Sequence, residues 1–245
     1  METKKELSEI QIWNLIKIHQ KNIQSVFDYD LTKSEERKKH ADLITRIGQN
    51  YLNREYREFI CDEQNIKIFT FLLYYFNNCR LAEKVFENED YKLHKNLLFV
   101  GSPGTGKTLT MQIFSDYLKL TKNQNWFRNV SVTQMMNYYK IHGHIDLFTF
   151  NEIESGKCEG IPFNICLNDI GIETENQKSF GTSLDTVIDE FLYARYEIYQ
   201  QPEQKKYHLT SNLSVKNFKE RFENRLIDRF KSFNVIEFNG KSKRK

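Results

Sequence analysis

The segment Gly101–Thr108, Gly-Ser-Pro-Gly-Thr-Gly-Lys-Thr, fits the phosphate-binding pattern G-x-x-x-x-G-K-[ST] and restricts the possible folds more than any other part of the sequence. An apolar run of strand length, Asn96–Val100, precedes it, and Leu109–Leu118 follows with apolar residues at helical spacing. A strand, a glycine-rich turn and a helix in this order form the setting in which such a loop binds phosphate. The alternative, a chance match in a surface turn, leaves both flanks unexplained. We therefore predict a nucleotide-binding site in an α/β fold.

The loop is expected to bind phosphate through both backbone and side chains. Its glycines allow turns that other residues resist, and the amides of Gly104–Thr108 are predicted to point at the anion from a helix N-terminus. Lys107 is expected to reach the β and γ phosphates, and Thr108 to hold Mg²⁺ through its hydroxyl. The predicted cofactors are therefore ATP and Mg²⁺. The predicted nucleotide-binding residues are Gly101, Ser102, Pro103, Gly104, Thr105, Gly106, Lys107 and Thr108.

Composition limits the size of the core and the compartment. With 245 residues, 39% hydrophobic and 28% charged, the chain can bury one substantial core plus a small appendage. Its four cysteines include no C-x-x-C pair, which is typical of reduced thiols. It shows neither a signal-peptide core nor an apolar run of membrane length, so we expect a soluble, cytoplasmic protein.

The chain divides into two regions of different character. Residues 1–60 read as a helical N-terminal region, with an apolar stripe between Ile12 and Phe27 and a capping-box pattern at Thr32–Glu35 that predicts a helix start. This region is either a cap on the following domain or a docking module for a partner. Residues 61–245 are predicted to form the nucleotide-binding domain.

Predicted strands and helices alternate through the second region. This alternation predicts an α/β fold with a parallel sheet sandwiched by helices. The predicted helices are 65–75, 134–141, 185–199 and 215–233, and the predicted strands after Asn96–Val100 are 126–132, 163–167, 207–210 and 235–238.

Polar residues follow two of these strands directly. Ligands in such sheets bind at the carboxyl ends of the strands, where Asn168 and Asp169 follow one strand and Asn212 follows another. Asp169 is the predicted catalytic and metal-side carboxylate, with a turn or helix cap as the alternative. Asn212 is predicted to polarise the attacking water, because an amide both donates and accepts hydrogen bonds; the alternative is an Asx-turn residue.

Two arginines lie four residues apart on the predicted helix 215–233. Arg229 projects within its apolar face and Arg225 lies on the flank. A cation on an apolar face requires a partner, so Arg229 is either in a structural ion pair or near a phosphate. Arg225 is better placed to reach the nucleotide of a neighbouring subunit.

The ordered set of these motifs resembles the DnaC-type helicase loaders and the related IstB-type transposition helper ATPases, within the AAA+ superfamily. The resemblance extends from about residue 59 to residue 245. It rests on Lys95–Thr108, Leu167–Glu173, Ala194–Tyr196, Thr210–Leu213, Asn224–Arg229 and Gly240–Arg244.

The resemblance implies roles for three residues. Asn212 would be the sensor 1 residue, Arg225 an arginine finger acting in trans, and Arg244 the sensor 2 arginine that contacts nucleotide. It also implies an ATP-dependent homo-oligomer that grips single-stranded DNA and serves a replicative helicase or a transposase. A loader or regulator of a replicative helicase is the preferred interpretation. The alternatives are a transposition helper and a hydrolytically silent nucleotide-binding adaptor.

Two departures from the family pattern bear on this interpretation. The family has two adjacent acids where this chain has Asn168 and Asp169. The missing acid is the Mg²⁺-side one, so Asn168 would offer the metal only an amide oxygen. Losing one preorganised electrostatic group costs roughly 10²–10³ in rate, so hydrolysis is expected to be weak. Only 33 residues follow Asn212, which predicts an abbreviated C-terminal lid.

Charge and aromatic residues indicate where single-stranded DNA would bind. Residues 203–245 carry twelve Lys/Arg against five Asp/Glu, which is typical either of a solvated helix face or of a polyanion-binding surface. Lys140, His142 and His144 lie close in sequence to Tyr138 and Tyr139, on which bases are predicted to stack.

Overall fold

The structure, a computed structural model, describes residues 28–155, 160–171, 178–179, 182–240 and 242–243. The apolar stripe between Ile12 and Phe27 lies outside these ranges, as do Glu173 and Arg244. No helix in the described ranges is both long enough and apolar enough to cross a membrane.

Helices and strands alternate as predicted through the second region. In chain order the elements are α1 (Ser34–Leu52), α2 (Glu63–Phe76), β1 (Asn96–Val100), α3 (Lys107–Leu120), β2 (Arg128–Ser131), α4 (Val132–His142), α5 (Glu152–Ser155), β3 (Ile165–Ile170), β4 (Lys178–Ser179), β5 (Thr182–Ser183), α6 (Leu184–Gln200), β6 (Tyr207–Ser211), α7 (Val215–Arg221), α8 (Asn224–Arg229) and β7 (Phe233–Glu237). Short 3-10 turns lie at 53–55, 80–84, 146–148 and 230–232.

Five strands form one parallel sheet in the order β2-β3-β6-β1-β7. The predicted fold class, α/β with a parallel sheet and flanking helices, is confirmed. The strand β1, which precedes the glycine-rich loop, has neighbours on both sides and is buried along its whole length. This explains its unbroken apolar run, because a strand covered on both faces has no polar side.

One face of the sheet packs on helices α4, α6, α7 and α8. Alternate strand residues point to this face because side chains alternate along a strand. Helix α6 contributes Val187, Ile188 and Phe191, all fully buried. The same apolar cluster contains Leu98, Leu167 and Leu209 from the three central strands.

The structure divides by contacts into two compact units. Among the described residues, the first comprises those up to Val85 together with Asp116–Trp126, and the second comprises Phe86–Ser115 and those from Phe127 onward. The sheet and the glycine-rich loop belong to the second unit. The boundary at residue 60 expected from the sequence falls between α1 and α2, inside the first unit.

A chain of buried hydrogen bonds organises the first unit. The fully buried His40 ring contacts Asp28 O through Nε2 at 3.1 Å and the Tyr117 hydroxyl through Nδ1 at 2.6 Å. The Tyr117 hydroxyl accepts from the Asn77 amide at 2.9 Å, and the Asn77 oxygen accepts from Asn123 at 2.9 Å. Because every group finds a partner, burying them carries no unpaired polar atom. Burial lowers the pKa of His40 below its usual value.

Two cations are buried at the amino ends of the strands. Arg195, in the motif Ala194–Tyr196, is fully buried and donates to Phe163 O at 2.5 Å and to Thr149 O at 3.4 Å. Lys206 donates to Leu93 O and Lys95 O. Burial lowers the pKa of Arg195 to about 9 and that of Lys206 to about 7. Both residues hold loops at the end of the sheet opposite to the glycine-rich loop.

One local prediction was wrong, and another was confirmed only for the helix start and not for its cap. The helix predicted at 215–233 is interrupted, because Phe222 and Glu223 are extended and separate α7 from α8. The extended Phe222 is buried and packs its ring on those of Phe218 and Phe230. Helix α1 does begin near the predicted capping box, but its N-cap Lys33 makes no side-chain cap bond, and the Thr32 hydroxyl donates to Asp30 instead.

Candidate nucleotide-binding site

The glycine-rich loop connects β1 to α3 at the carboxyl end of the sheet. Gly101, Gly104 and Gly106 have φ angles of +136°, +80° and +101°, which L side chains rarely adopt. A Cβ atom on Gly101 would lie 2.3 Å from Phe238 O, so no larger residue fits there. Helix α3 begins at Lys107, and its first amides face the loop, where its dipole favours an anion.

Lys107 is buried within this loop. It is 3% exposed, and its ammonium donates to Gly101 O at 2.7 Å and Ser102 O at 2.8 Å. The Thr105 hydroxyl lies 3.4 Å from the same nitrogen and donates to Ser102 O. The loop carbonyls thus fix the position of the cation at the end of the loop, where the sequence predicts the β and γ phosphates.

The strand β3 carries an irregularity directly at the site. Its pairing with β6 shifts register between Leu167 and Ile170, so that Asn168 and Asp169 together oppose the single residue Thr210. This is a β-bulge, which re-aims side chains and often lies beside active sites. Asp169 takes a left-handed conformation with φ +66°, which a residue other than glycine adopts only at an energetic cost.

The Asp169 carboxylate brings three parts of the site together. Its Oδ1 lies 3.5 Å from the Thr108 hydroxyl and 3.3 Å from the Asn212 amide nitrogen. The loop after β1, the end of β3 and the end of β6 therefore converge on one carboxylate oxygen, as the strand-end pattern predicts. Carboxylate and hydroxyl oxygens are the hard ligands that Mg²⁺ prefers, so Thr108 and Asp169 fit a magnesium ion next to a bound triphosphate.

Asn168 lies inside the sheet, and its amide is hydrogen-bonded there. It is 3% exposed, its nitrogen donates to Asn129 Oδ1 at 3.0 Å and Val130 O at 3.3 Å, and its oxygen accepts from the Thr210 hydroxyl at 3.3 Å. Coordination of Mg²⁺ by this oxygen, as predicted from the sequence, would compete with the bond from Thr210. Of the adjacent pair, Asp169 is the residue that faces Thr108.

The two arginines of α8 have different environments. Arg225 is exposed, as a residue reaching a neighbouring subunit must be. The Arg229 guanidinium lies over the rings of Tyr193 and Tyr196, 4.4 Å and 4.6 Å from their centroids. The partner of Arg229 is therefore an aromatic pair on α6, an arrangement that the sequence interpretation did not consider.

The last described residues pass close to the loop. The Lys243 amide donates to Gly104 O at 2.8 Å, and a Cβ atom on Gly104 would lie 2.1 Å from the Ser242 hydroxyl. Arg244 follows directly but lies outside the described residues, so its contact with nucleotide stays a prediction.

The two tyrosines predicted to stack on DNA bases differ in their exposure to solvent. Tyr139 is 7% exposed and belongs to the apolar cluster, so its predicted stacking on bases is wrong. Tyr138 is half-buried and stacks on His142 at 4.1 Å between ring centroids. Lys140 and His142 are exposed on the same helix end, so the charged part of the predicted surface is accessible.

No family model and no curated protein matches this chain. Solved structures with a similar arrangement include AMPPCP-bound DnaA from Aquifex aeolicus (18% identity, TM-score 0.47, covering 73% of this chain and 48% of that chain). Domain III of the Thermotoga maritima replication initiation protein DnaA has 17% identity and a TM-score of 0.48, covering 73% of this chain and 64% of that chain. C. elegans PCH-2 has 17% identity and a TM-score of 0.40, covering 71% and 43%.

This chain spans about half the length of the first of these structures. The sequence did not predict two features of the site: the bulge in β3 and the hydrogen bonds between Thr210 and the two bulge residues. The only local sign of the bulge is Gly171, which has φ +88° two residues after Asp169.

Proposed function

We propose that this protein is an AAA+ ATP-binding protein that assembles on Mg-ATP and loads or regulates a replicative DNA helicase on single-stranded DNA. The observation that supports it most is the convergence of Thr108, Asp169 and Asn212 beside the Lys107 loop. Phosphoryl transfer needs a phosphate cradle, a metal ligand and a group that orients water, and these side chains can supply each of them. The link to a helicase rests on the sequence resemblance.

The division of roles follows from the geometry. The loop amides and Lys107 would bind the phosphates, while Thr108 and Asp169 would hold Mg²⁺. Asn212, 3.3 Å from Asp169, would orient the attacking water. Arg225 would reach the nucleotide of a neighbouring subunit. Of the adjacent residues Asn168 and Asp169, only Asp169 is a carboxylate. We therefore propose that ATP binding is efficient and that hydrolysis is slow.

Assembly and DNA binding test this function in one sample. With Mg²⁺ and a non-hydrolysable ATP analogue, we expect light scattering to show oligomers and fluorescence anisotropy to show binding of an oligothymidine. Neutralising four phosphates would give a salt slope of about −3 on a log–log plot. Arg225→Ala should bind the analogue but remain monomeric, because only the neighbour's site loses a contact.

The possible failures have different meanings. Normal oligomers from Arg225→Ala would remove the trans role of this arginine. Oligomers without DNA binding at low salt would favour a hydrolytically silent adaptor over a loader.

A further inference from the structure

Thr210 lies near the end of β6, and the proposed function assigns no role to it. Thr210 is fully buried, and its hydroxyl accepts from the Asp169 amide at 3.0 Å and donates to the Asn168 oxygen at 3.3 Å. A buried hydroxyl is costly unless it is bonded. Here it is satisfied both as acceptor and as donor, in each case by a residue of the bulge.

The hydroxyl stands where the ladder of the sheet is interrupted. Leu167 pairs with Leu209 and Ile170 pairs with Ser211, so the two residues between them on β3 oppose a single residue of β6, Thr210. A backbone N–H that leaves the ladder must find another partner. For Asp169 this partner is the Thr210 side chain.

The neighbouring strand β2 binds the side chain of the other bulge residue, Asn168. The Asn168 amide nitrogen donates to Asn129 Oδ1 and Val130 O, while Asn129 donates its own amide to Met111 O of α3 at 2.9 Å. A continuous series of hydrogen bonds thus links β2 to the Asn168 side chain, then to the Thr210 hydroxyl and finally to the Asp169 backbone. It joins three strands at the level of the site.

We propose that Thr210 is a positioning residue: with Asn168, its hydroxyl holds the bulge that aims the Asp169 carboxylate at Thr108 and Asn212. A residue other than glycine persists at positive φ only where its surroundings determine it, and the bond from the Asp169 amide to Thr210, which Asn168 holds in place, is such a constraint. The inference rests on the proposed function, in which Asp169 acts on Mg-ATP. It also assigns Asn168 a positioning role that requires an amide.

Thr210→Val tests this inference, since valine keeps the shape of threonine and removes the hydroxyl. We expect the affinity for the analogue, measured without Mg²⁺, to stay within about twofold of wild type, because the phosphate loop is untouched. The single-turnover rate of ATP hydrolysis should fall by about 10²-fold, as misplacement of a catalytic group by about 1 Å does. Thr210→Ser should recover the rate to within about threefold.

Two controls separate positioning from stability. Thr121→Val removes another buried hydroxyl, which bonds to Tyr117 O, and should leave hydrolysis unchanged. If Thr210→Val does not fold, Thr210→Ala and Thr210→Ser provide the same comparison, since they differ only in the hydroxyl.

Each other outcome has a defined meaning. Wild-type hydrolysis in Thr210→Val, or equal slowness of the valine and serine variants, would overturn the positioning role alone. A wild-type rate of ATP hydrolysis no higher than that of Asp169→Asn would overturn the positioning role too, because the Asp169 carboxylate would then not contribute to hydrolysis. Failure of the wild type to bind the analogue would overturn the proposed function itself.

Discussion

At the scale of single residues, the contrast between Asn168 and Asp169 decides how the site works. The two are adjacent in sequence, yet the bulge directs one amide into the sheet and one carboxylate to Thr108. From the sequence alone, Asn168 reads as a weakened metal ligand. In the structure it is a hydrogen-bonded part of the sheet, and an ionised acid there could accept from Thr210 but could not donate to Asn129 and Val130.

This view predicts the outcome of Asn168→Asp. A carboxylate oxygen would replace the nitrogen that donates to Asn129 and Val130, which leaves buried acceptors facing one another. Unpaired buried polar groups cost about 1–3 kcal/mol each, so we expect urea unfolding to show a loss of at least this size at pH 7. The loss should shrink towards pH 5, because burial raises the pKa of such a carboxyl and the protonated form can donate.

The control for this prediction is Asn137→Asp, which makes the same charge change on an exposed residue of α4. It should change the free energy of unfolding by less than about 0.5 kcal/mol. A gain in ATP turnover by Asn168→Asp, with stability unchanged, would contradict the account and restore the reading of Asn168 as a metal ligand.

At the scale of elements, α8 shows how much of the fold the sequence predicts. The strands and the helices around the sheet followed from apolar runs and helical spacing, which are local signals. The break at Phe222 did not, because extended backbone there is favoured by the packing of three phenylalanine rings that only the folded chain brings together. The bulge in β3 was missed for the same reason, since register depends on the neighbouring strand.

The attachment of α8 to α6 gives a prediction at this scale. The guanidinium of half-buried Arg229 lies over two tyrosine rings, where cation–π contacts contribute about 1–2 kcal/mol. Arg229→Ala should lower the free energy of unfolding by about this amount, measured by urea titration. The free energy of unfolding of Arg229→Lys should lie between those of wild type and Arg229→Ala, because lysine keeps the charge but loses the planar stacking.

The matched control is Arg225→Ala on the exposed side of the same helix, which should be nearly neutral for stability. Equal stability of Arg229→Ala and wild type would show that the tyrosine pair does not anchor the helix.

At the scale of the whole molecule, buried histidines make stability depend on pH. Burial lowers the pKa of His40 in the first unit and places that of His208 in the second well below its usual value. Each is neutral when folded but takes up a proton when unfolded below about pH 6.5. Stability is therefore fully present above this pH and is lost as pH falls, by up to about 2.7 kcal/mol per pH unit for two protons.

Urea unfolding at pH 7.5, 6.5 and 5.5 measures this slope. Lys206 contributes only to the step from pH 7.5 to 6.5, because well below its pKa of about 7 it is protonated in both states, so the histidine slope is taken between pH 6.5 and 5.5. His208→Asn can still accept the bond from the Leu97 amide, which lies 3.1 Å from Nδ1, and should halve the slope. His94→Gln, at an exposed histidine, should not change it; equal slopes in all three proteins would be inconsistent with this explanation.

If the Lys107 loop, Thr108 and Asp169 form a site for Mg-ATP, the nucleotide must raise the thermal unfolding midpoint of the protein. Mg-ATP at a thousand times its dissociation constant stabilises a protein by about 4 kcal/mol, so the midpoint of wild type should rise clearly. Lys107→Ala should abolish the rise, while Lys119→Ala, an exposed lysine of the same helix, should preserve it. A midpoint that does not respond to Mg-ATP, or that rises equally in Lys107→Ala, would contradict the account.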